Sequence, residues 1–108
     1  MSEPFVNQLR TRGGVIDLAS PGGPAITVRV EMPEVWDVVR VRVSPDERIL
    51  LMKLRALEAL NPGSEPHEEY VLKLYGWEVL DEHATVASTG AGDGSIFLLT
   101  HRRRRAVR

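Results

Sequence analysis

Two neighbouring segments of the chain alternate apolar and polar residues with a period of two, which is the pattern of a half-buried β-strand. The first covers residues 26–31 and the second residues 38–43, and Met32-Pro33-Glu34 provides a turn between them. Because side chains alternate between the two faces of a strand, each segment can direct valine and isoleucine toward one core. The sequence therefore predicts a β-hairpin.

One helix is predicted after the hairpin, over Ile49–Leu60. Ser44-Pro45-Asp46-Glu47 is typical of a helix start, and Asn61-Pro62-Gly63 ends the run of helix-forming residues. At about 100° per residue, Lys53 falls within the apolar face of this helix. Because a buried ammonium is costly without a carboxylate beside it, we expect Lys53 either to pair with one or to extend its amine to water.

Three further β-prone segments follow, over residues 70–75, 77–80 and 95–100. The order hairpin, helix, strand, short strand, strand is typical of α+β packing, in which one helix lies on one face of a mixed four- to five-stranded sheet. In the last segment, we expect Ile96 and Leu98 to face the core.

The composition excludes several kinds of chemistry. The 108 residues include no cysteine, which excludes disulfides, thiolate nucleophiles and cysteine-ligated metals. Residues 101–108 hold five of the fourteen Lys and Arg residues, and the remaining nine basic and fifteen acidic residues give the rest of the chain a formal charge of −6. No apolar run approaches the ~20 residues of a membrane span, and Met1-Ser2-Glu3-Pro4 lacks the layout of a signal peptide, so we expect a cytoplasmic location.

Three motifs resemble those of ubiquitin-like proteins: Val43-Ser44-Pro45-Asp46, Leu72-Lys73-Leu74-Tyr75-Gly76, and the turn Gly90-Ala91-Gly92-Asp93-Gly94 before the last strand. Together with the element order, they make residues 26–103 similar to a ubiquitin-like domain. The resemblance implies an α+β, ubiquitin-like β-grasp fold. The domain organisation that we predict is a flexible leader over residues 1–24, a ubiquitin-like domain over 25–100 and a basic C-terminal tail over 101–108.

The leader is predicted from its glycine and proline content. Gly13-Gly14 and Pro21-Gly22-Gly23-Pro24 both interrupt regular structure. Val15, Ile16 and Leu18 could nevertheless add a short edge strand or pack against the domain.

The resemblance also implies a structural ion pair. Lys53 matches a helix lysine that is largely buried in ubiquitin and pairs with an aspartate in the turn after the short strand, where this chain has Asp81. We expect a Lys53–Asp81 pair, with Glu82 as the alternative partner.

A partner-binding surface is predicted on the sheet. Ubiquitin's recognition patch is centred on an isoleucine of the third strand, and Lys73 occupies that position here, so recognition by generic ubiquitin-binding domains is not expected. Alternation places Phe97 and Leu99 on the outside beside Lys73 as a candidate patch. The alternative is that the leader covers this patch through Phe5 or Ile16.

The basic tail is a second candidate for partner binding. We single out four consecutive arginines: Arg102, Arg103, Arg104 and Arg105. Such a run can bind nucleic acid or an anionic membrane surface, because neutralising phosphates releases counterions and lipid head groups attract basic side chains. The alternative is a tail that is merely solvated.

The sequence contains no recognisable catalytic or metal-binding arrangement. The histidines His67, His83 and His101 lack metal-ligand spacing, and Glu68-Glu69 has no spaced partner for acid–base chemistry. The glycine-rich turn at residues 90–94 precedes a strand, whereas phosphate-binding loops precede a helix. We expect no enzymatic activity, metal, cofactor or small-molecule substrate.

The first functional hypothesis is a non-enzymatic protein-interaction module, an adaptor or accessory protein. Its turn at residues 85–94 is similar to that of small bacterial ubiquitin-like proteins associated with type VII secretion, which also lack a C-terminal Gly-Gly. A first alternative is a modifier in an unconventional bacterial conjugation system, attached through a processed C-terminus. The ending Arg104-Arg105-Ala106-Val107-Arg108 weighs against it, because glycines suit transfer through a narrow channel. A second alternative is a nucleic-acid-associated protein that uses the arginine-rich tail.

Overall fold

The computed structural model describes residues 14–102. Within that range one helix packs on one mixed sheet of six strands, which confirms the predicted α+β class. The strands are β1 (Val15–Asp17), β2 (Ile26–Met32), β3 (Asp37–Val43), β4 (Tyr70–Leu74), β5 (Trp77–Glu78) and β6 (Ile96–His101), and the helix is α1 (Ile49–Leu60). Short 3-10 helices cover Pro33–Val35, His67–Glu69 and Ala87–Thr89.

The strands lie in the order β1-β3-β2-β6-β4-β5. β2 and β3 form the predicted antiparallel hairpin, in which Val28 lies opposite Val41. β6 lies between β2 and β4, parallel to β2 and antiparallel to β4. The last strand therefore joins the hairpin to the β4–β5 pair, and one sheet forms only when the end of the domain is in place.

The sheet has one strand more than the four to five predicted, and the additional strand, β1, comes from the predicted flexible leader. β1 pairs in parallel with the edge of β3, with Ile16 opposite Val41. The amide of Leu18 donates a hydrogen bond of 2.7 Å to the carbonyl of Arg42. Ile16 and Leu18 also pack against the core. Residues 15–17 are thus part of the sheet, and residues 1–13 lie outside the described part of the chain.

The helix α1 has the bounds that the sequence predicts. The first-turn amides of Ile49 and Leu50 donate hydrogen bonds to the carbonyls of Ala84 and Glu82, at 2.9 and 2.8 Å. A distant segment, rather than a capping side chain, thus satisfies two of the donors that every helix start leaves open. The helix stops before Asn61-Pro62-Gly63, since proline cannot continue the hydrogen-bond pattern.

The core lies between α1 and the face of the sheet that contacts it, here called the inner face. The opposite side of the sheet is called the outer face. Buried inner-face residues of the hairpin are Val28, Val30, Met32, Val39, Val41 and Val43, and they meet Ile49, Met52, Ala56, Leu57 and Leu60 of α1. Among residues 14–102, no helix has the length and apolar character that crossing a membrane requires.

Candidate protein-interaction surface

β6 presents its apolar residues in the opposite orientation to the one predicted. Phe97 and Leu99 are 0% exposed and belong to the core, whereas Ile96 is 40% exposed and Leu98 is half-buried. The prediction that Phe97 and Leu99 form an exposed patch beside Lys73 is therefore wrong. Ile96 and Leu98, predicted to be core residues, lie on the outer face instead.

The physical reason is that the first four residues of β6 are all apolar, so alternation allows two equally good choices of face. The pairing register with the neighbouring strands determines which face of the sheet each side chain occupies. Phe97 lies opposite Val30 of β2, and Leu99 lies opposite Leu72 of β4. Because both of those partners face α1, Phe97 and Leu99 must do so as well.

A shallow hollow of about 500 Å³ lies on the outer face, at the start of β6. Ile96 and Leu98 contribute its apolar wall. Lys73, which the sequence predicts to bind a partner, lies directly opposite Leu98 and lines the same hollow. Tyr75 and Asp93 also line it. The hollow thus combines aliphatic surface, one cation and one aromatic ring.

Hydrogen bonds hold the rim of this hollow. The Tyr75 hydroxyl lies 3.0 Å from Ser95 Oγ, and Ser95 Oγ accepts a bond of 2.9 Å from the amide of Gly92. The Asp93 carboxylate accepts a bond of 2.8 Å from the amide of Thr27 at the start of β2. The glycine-rich turn is therefore tied to β2 through Asp93 and, through Ser95, to Tyr75 in the turn that follows β4.

Two exposed aromatic residues have a backbone conformation that is rare for bulky side chains. Among residues 14–102, Trp36 and Tyr75 are the non-glycine residues with positive φ, at 54° and 55°. Trp36 is 94% exposed and Tyr75 is 68% exposed, so burial of their rings does not offset the strain. Such strain costs about 1–3 kcal/mol and is concentrated at functional sites. Both residues are therefore candidates for partner contact.

Trp36 lies at the tip of the β2–β3 hairpin, beside a second hollow of about 330 Å³. Glu31 lines this second hollow and lies opposite Leu98 of the first one. The two hollows therefore adjoin across β2 and β6. Sequence reasoning missed Trp36 because its exposure and its left-handed conformation follow from the turn geometry.

The ion pair of Lys53 forms with Glu82 and not with Asp81, so the first choice of partner is wrong and the alternative is right. Lys53 is fully buried, and its ammonium donates to Glu82 Oε2 at 2.7 Å and to the carbonyl of Tyr70 at 2.9 Å. Asp81 is used within its own turn, where its carboxylate accepts a bond from the amide of His83. The carbonyl of Glu82 binds the start of α1, which brings its longer side chain to Lys53.

The first arginine of the predicted tail is folded back onto the sheet. Arg102 Nε donates to the carbonyl of Glu68 at 3.1 Å, and its guanidinium lies 3.5 Å from the carboxylate of Glu78. Because β4 lies between β6 and β5, this link crosses β4. Val71 of β4 lies on the outer face and is nevertheless only 1% exposed. The other predicted tail residues lie outside the described part of the chain: Arg103, Arg104 and Arg105.

Three side chains of types that could ligate a metal ion, two from the segment before β4 and one from β6, meet at the other end of β6. Ligand atoms of Glu65, Glu69 and His101 lie within 4.8 Å of one another. His101 Nε2 lies 3.0 Å from Glu65 Oε1, and its ring packs edge-on against Tyr70 with 5.0 Å between the centroids. Spacing in the sequence could not reveal this cluster, because β6 pairs with β4 only in the folded sheet. The contacts fasten β6 to the segment before β4.

No protein-family model and no curated protein matches the chain. Solved structures do match. The ubiquitin-like domain of an Arabidopsis thaliana protein has a TM-score of 0.64 and 19% identity, over 77% of this chain and 83% of that one. The chain has the ubiquitin-like β-grasp fold.

Two further ubiquitin-like neighbours are similar to the same extent. Ubiquitin of Caldiarchaeum subterraneum has a TM-score of 0.63 and 16% identity, over 73% of this chain and 95% of that one. The ubiquitin-like domain of Plasmodium falciparum Dsk2 has a TM-score of 0.61 and 20% identity, over 72% of this chain and 99% of that one. At such identities the likeness concerns the fold, so a function has to be argued from this chain's own residues.

Proposed function

We propose that this ubiquitin-like chain is a non-enzymatic protein-interaction module that binds its partner on the outer face of the sheet. The observation that carries the proposal is the partly exposed apolar surface of Ile96 and Leu98, which lines the hollow together with Lys73 and with Tyr75, a residue of strained backbone. A partner that covers this wall gains about 25 cal/mol for each Å² of apolar surface removed from water. Tyrosine is also a residue type that often dominates binding energy.

The proposal assigns partner binding to Lys73, as the sequence predicts. It adds Ile96 and Leu98 in place of Phe97 and Leu99, because the latter two are buried in the core. Arg102 takes part through the basic tail only if its contacts with Glu68 and Glu78 are exchanged for contacts with a partner. A role for Arg103, Arg104 and Arg105 rests on their charge alone.

The finer parts of the proposal rest on the sequence resemblance. They are a bacterial origin and an adaptor role beside a secretion system. A cytoplasmic location is the expectation drawn from the apolar pattern of the sequence. The proposed module needs no cofactor, and its recognition chemistry resides in side chains of the outer face.

Site-specific photo-crosslinking in the native cells tests the proposal. A photoreactive phenylalanine replaces Tyr75, and in a matched control it replaces Arg55, which is exposed on α1. We expect light-dependent adducts of defined mass from position 75 and few or none from position 55. Equal yields from both positions, or adducts from neither, would contradict binding on the outer face.

Intact-mass measurement of the unirradiated protein separates the alternatives. An unmodified chain in a stoichiometric complex favours the interaction module. Covalent products of higher mass together with a shortened C-terminus favour a modifier. Co-purifying nucleic acid that is released by salt favours the nucleic-acid-associated alternative.

A further inference from the structure

One row of side chains on the outer face has an acid and a base on opposite sides of a leucine. Leu98 of β6 lies opposite Glu31 of β2 on one side and opposite Lys73 of β4 on the other. Neighbouring strands are about 4.8 Å apart, so the acid and the base are each about one strand spacing from the leucine. Among residues 14–102, no salt bridge involves Glu31 or Lys73. The row therefore presents an aliphatic centre flanked by two opposite charges.

The adjacent row, which is centred on Ile96, has a related arrangement. Ile96 lies opposite Arg29 of β2, whose side chain is exposed. On the side of β4, Ile96 lines the first hollow together with Tyr75, which is 68% exposed. The face of an aromatic ring attracts a guanidinium placed over it. This row therefore has a cation on one side of its aliphatic centre and a group that attracts cations on the other.

A two-fold axis parallel to β6 relates the two sides of these rows. When two sheets face each other across such an axis, β6 lies opposite its own copy, and β2 of each sheet lies opposite β4 of the other. In a two-fold interface, residue i contacts residue j of the partner, and j contacts i. Facing sheets pack about 10 Å apart with their strands within about 30° of each other, so side chains of facing rows meet. The outer face is thus complementary to itself.

We propose that the outer faces of two copies of this chain pack against each other around β6 and form a two-fold symmetric dimer. The two aliphatic side chains at the centres of the rows contact their own counterparts near the axis. Glu31 of each copy forms an ion pair with Lys73 of the other copy. Arg29 of each copy lies over the ring of Tyr75 of the other copy. The inference rests on the proposed function, because it names the partner that the outer face binds.

Charge complementarity favours a second copy over other occupants of this face. Glu31 and Lys73 would be buried without counter-charges by a partner with an uncharged surface, which is unfavourable. A nucleic acid binds through an excess of basic residues, and Glu31 would repel its phosphates. A second copy supplies an opposite charge to both residues, and the symmetry makes each ion pair twice.

Sedimentation equilibrium of the intact chain measures the association. We expect the average mass to rise from 12.1 kDa toward twice that value as the protein concentration is raised from about 10 µM to about 1 mM. Glu31→Lys should weaken the association about tenfold or more, because the dimer then contains two pairs of like charges, and Lys73→Glu should do the same. Glu58→Lys and Arg55→Glu are the matched controls. They make similar charge changes at exposed positions of α1 and should leave the association unchanged.

Mixing the two weakened variants tests the two-fold geometry itself. In a heterodimer of Glu31→Lys with Lys73→Glu, opposite charges face each other again at both ion pairs. We therefore expect the mixture to associate about as tightly as the wild type, although neither variant does so alone. The double variant Glu31→Lys/Lys73→Glu should also recover the association, since it only exchanges the two charges. Far-UV circular dichroism checks that each variant is folded, and folded variants that recover in neither experiment would overturn the two-fold dimer.

A wild-type mass that stays at that of one chain over the whole concentration range would also overturn the dimer. Crosslinking from position 75 decides the proposed function separately. Adducts that contain two copies of the chain agree with the dimer. Adducts with another protein, from a wild type that remains monomeric, would retain the proposed function and reject the dimer. Adducts within a single chain, to residues 1–13, would assign the face to the leader and reject the dimer as well.

Discussion

One strand of this protein, β6, carries two pairs of apolar residues, of which one pair is buried and the other is partly exposed to solvent. Phe97 and Leu99 of β6 are completely buried against the helix, whereas Ile96 is 40% exposed and Leu98 is half-buried on the other side. All four residues would stabilise a core. The difference teaches that this fold uses only one face of β6 for its stability and leaves apolar surface on the other face, where a partner can use it.

The two faces also differ in how they hold charge. On the inner side, Lys53 and Glu82 form a pair whose side chains are 1% and 19% exposed. On the outer face, Arg42 and Asp17 form a pair whose side chains are 40% and 58% exposed. Burial decides how much such a pair contributes to stability. Water screens the exposed Arg42–Asp17 pair, whereas water cannot take the place of Glu82 beside the buried Lys53 ammonium.

The largest expected effect tests the contrast within β6. Phe97→Ala should lower the free energy of unfolding by about 3–5 kcal/mol, since it leaves a cavity in the core. Ile96→Ala should lower it by less than about 1 kcal/mol, because its side chain is partly in water already. Urea denaturation followed by far-UV circular dichroism measures both values. Similar losses in the two variants would mean that the faces are not distinct.

The buried ion pair should show the next largest effect. Glu82→Gln should cost about 3 kcal/mol of unfolding free energy, because it leaves the Lys53 ammonium in the core without a counter-charge. The double variant Lys53→Met/Glu82→Gln should be more stable than Glu82→Gln alone, since no charge then remains buried. The same denaturation experiment checks the order, and a less stable double variant would refute this account of Lys53.

The strained aromatic at the hairpin tip should give a smaller effect of the opposite sign. Trp36→Gly should raise the free energy of unfolding by about 0.5–1 kcal/mol, because glycine adopts positive φ without strain and little burial is lost. Trp77→Gly is the matched control, because Trp77 is also exposed but lies in β5 with an ordinary backbone conformation. This substitution should lower the free energy of unfolding of the protein by about 0.5–1 kcal/mol. Thermal melts of both variants suffice, and destabilisation by Trp36→Gly would argue against strain at this turn.

The exposed pair should give the smallest effect. Asp17→Asn should lower the free energy of unfolding by no more than about 0.5 kcal/mol, and the loss should shrink in high salt. Asparagine keeps the side-chain oxygen that accepts a bond from the amide of Ala19, so only the charge is changed. Melts at low and high salt measure the loss, and one that matched Glu82→Gln would remove the distinction between the two pairs.

Part of the site was open to prediction from local patterns. The resemblance assigned Lys73 to the outer face, and the buried neighbours Leu72 and Leu74 supply the local contrast that agrees with this assignment. β6 offered no such contrast. Its first four residues are apolar, and only pairing with β2 and β4 decides which of them meets the helix.

The sequence by itself determined the hairpin, the bounds of the helix and the α+β class, because hydrophobic period, helix propensity and proline act over a few residues. Only the tertiary structure decided the face of β6, the choice of Glu82 over Asp81 and the addition of β1 to the sheet. Each of these depends on strand register or on backbone contacts between segments far apart in the chain. Such contacts form together when the sheet closes around its last strand, so no local pattern records them.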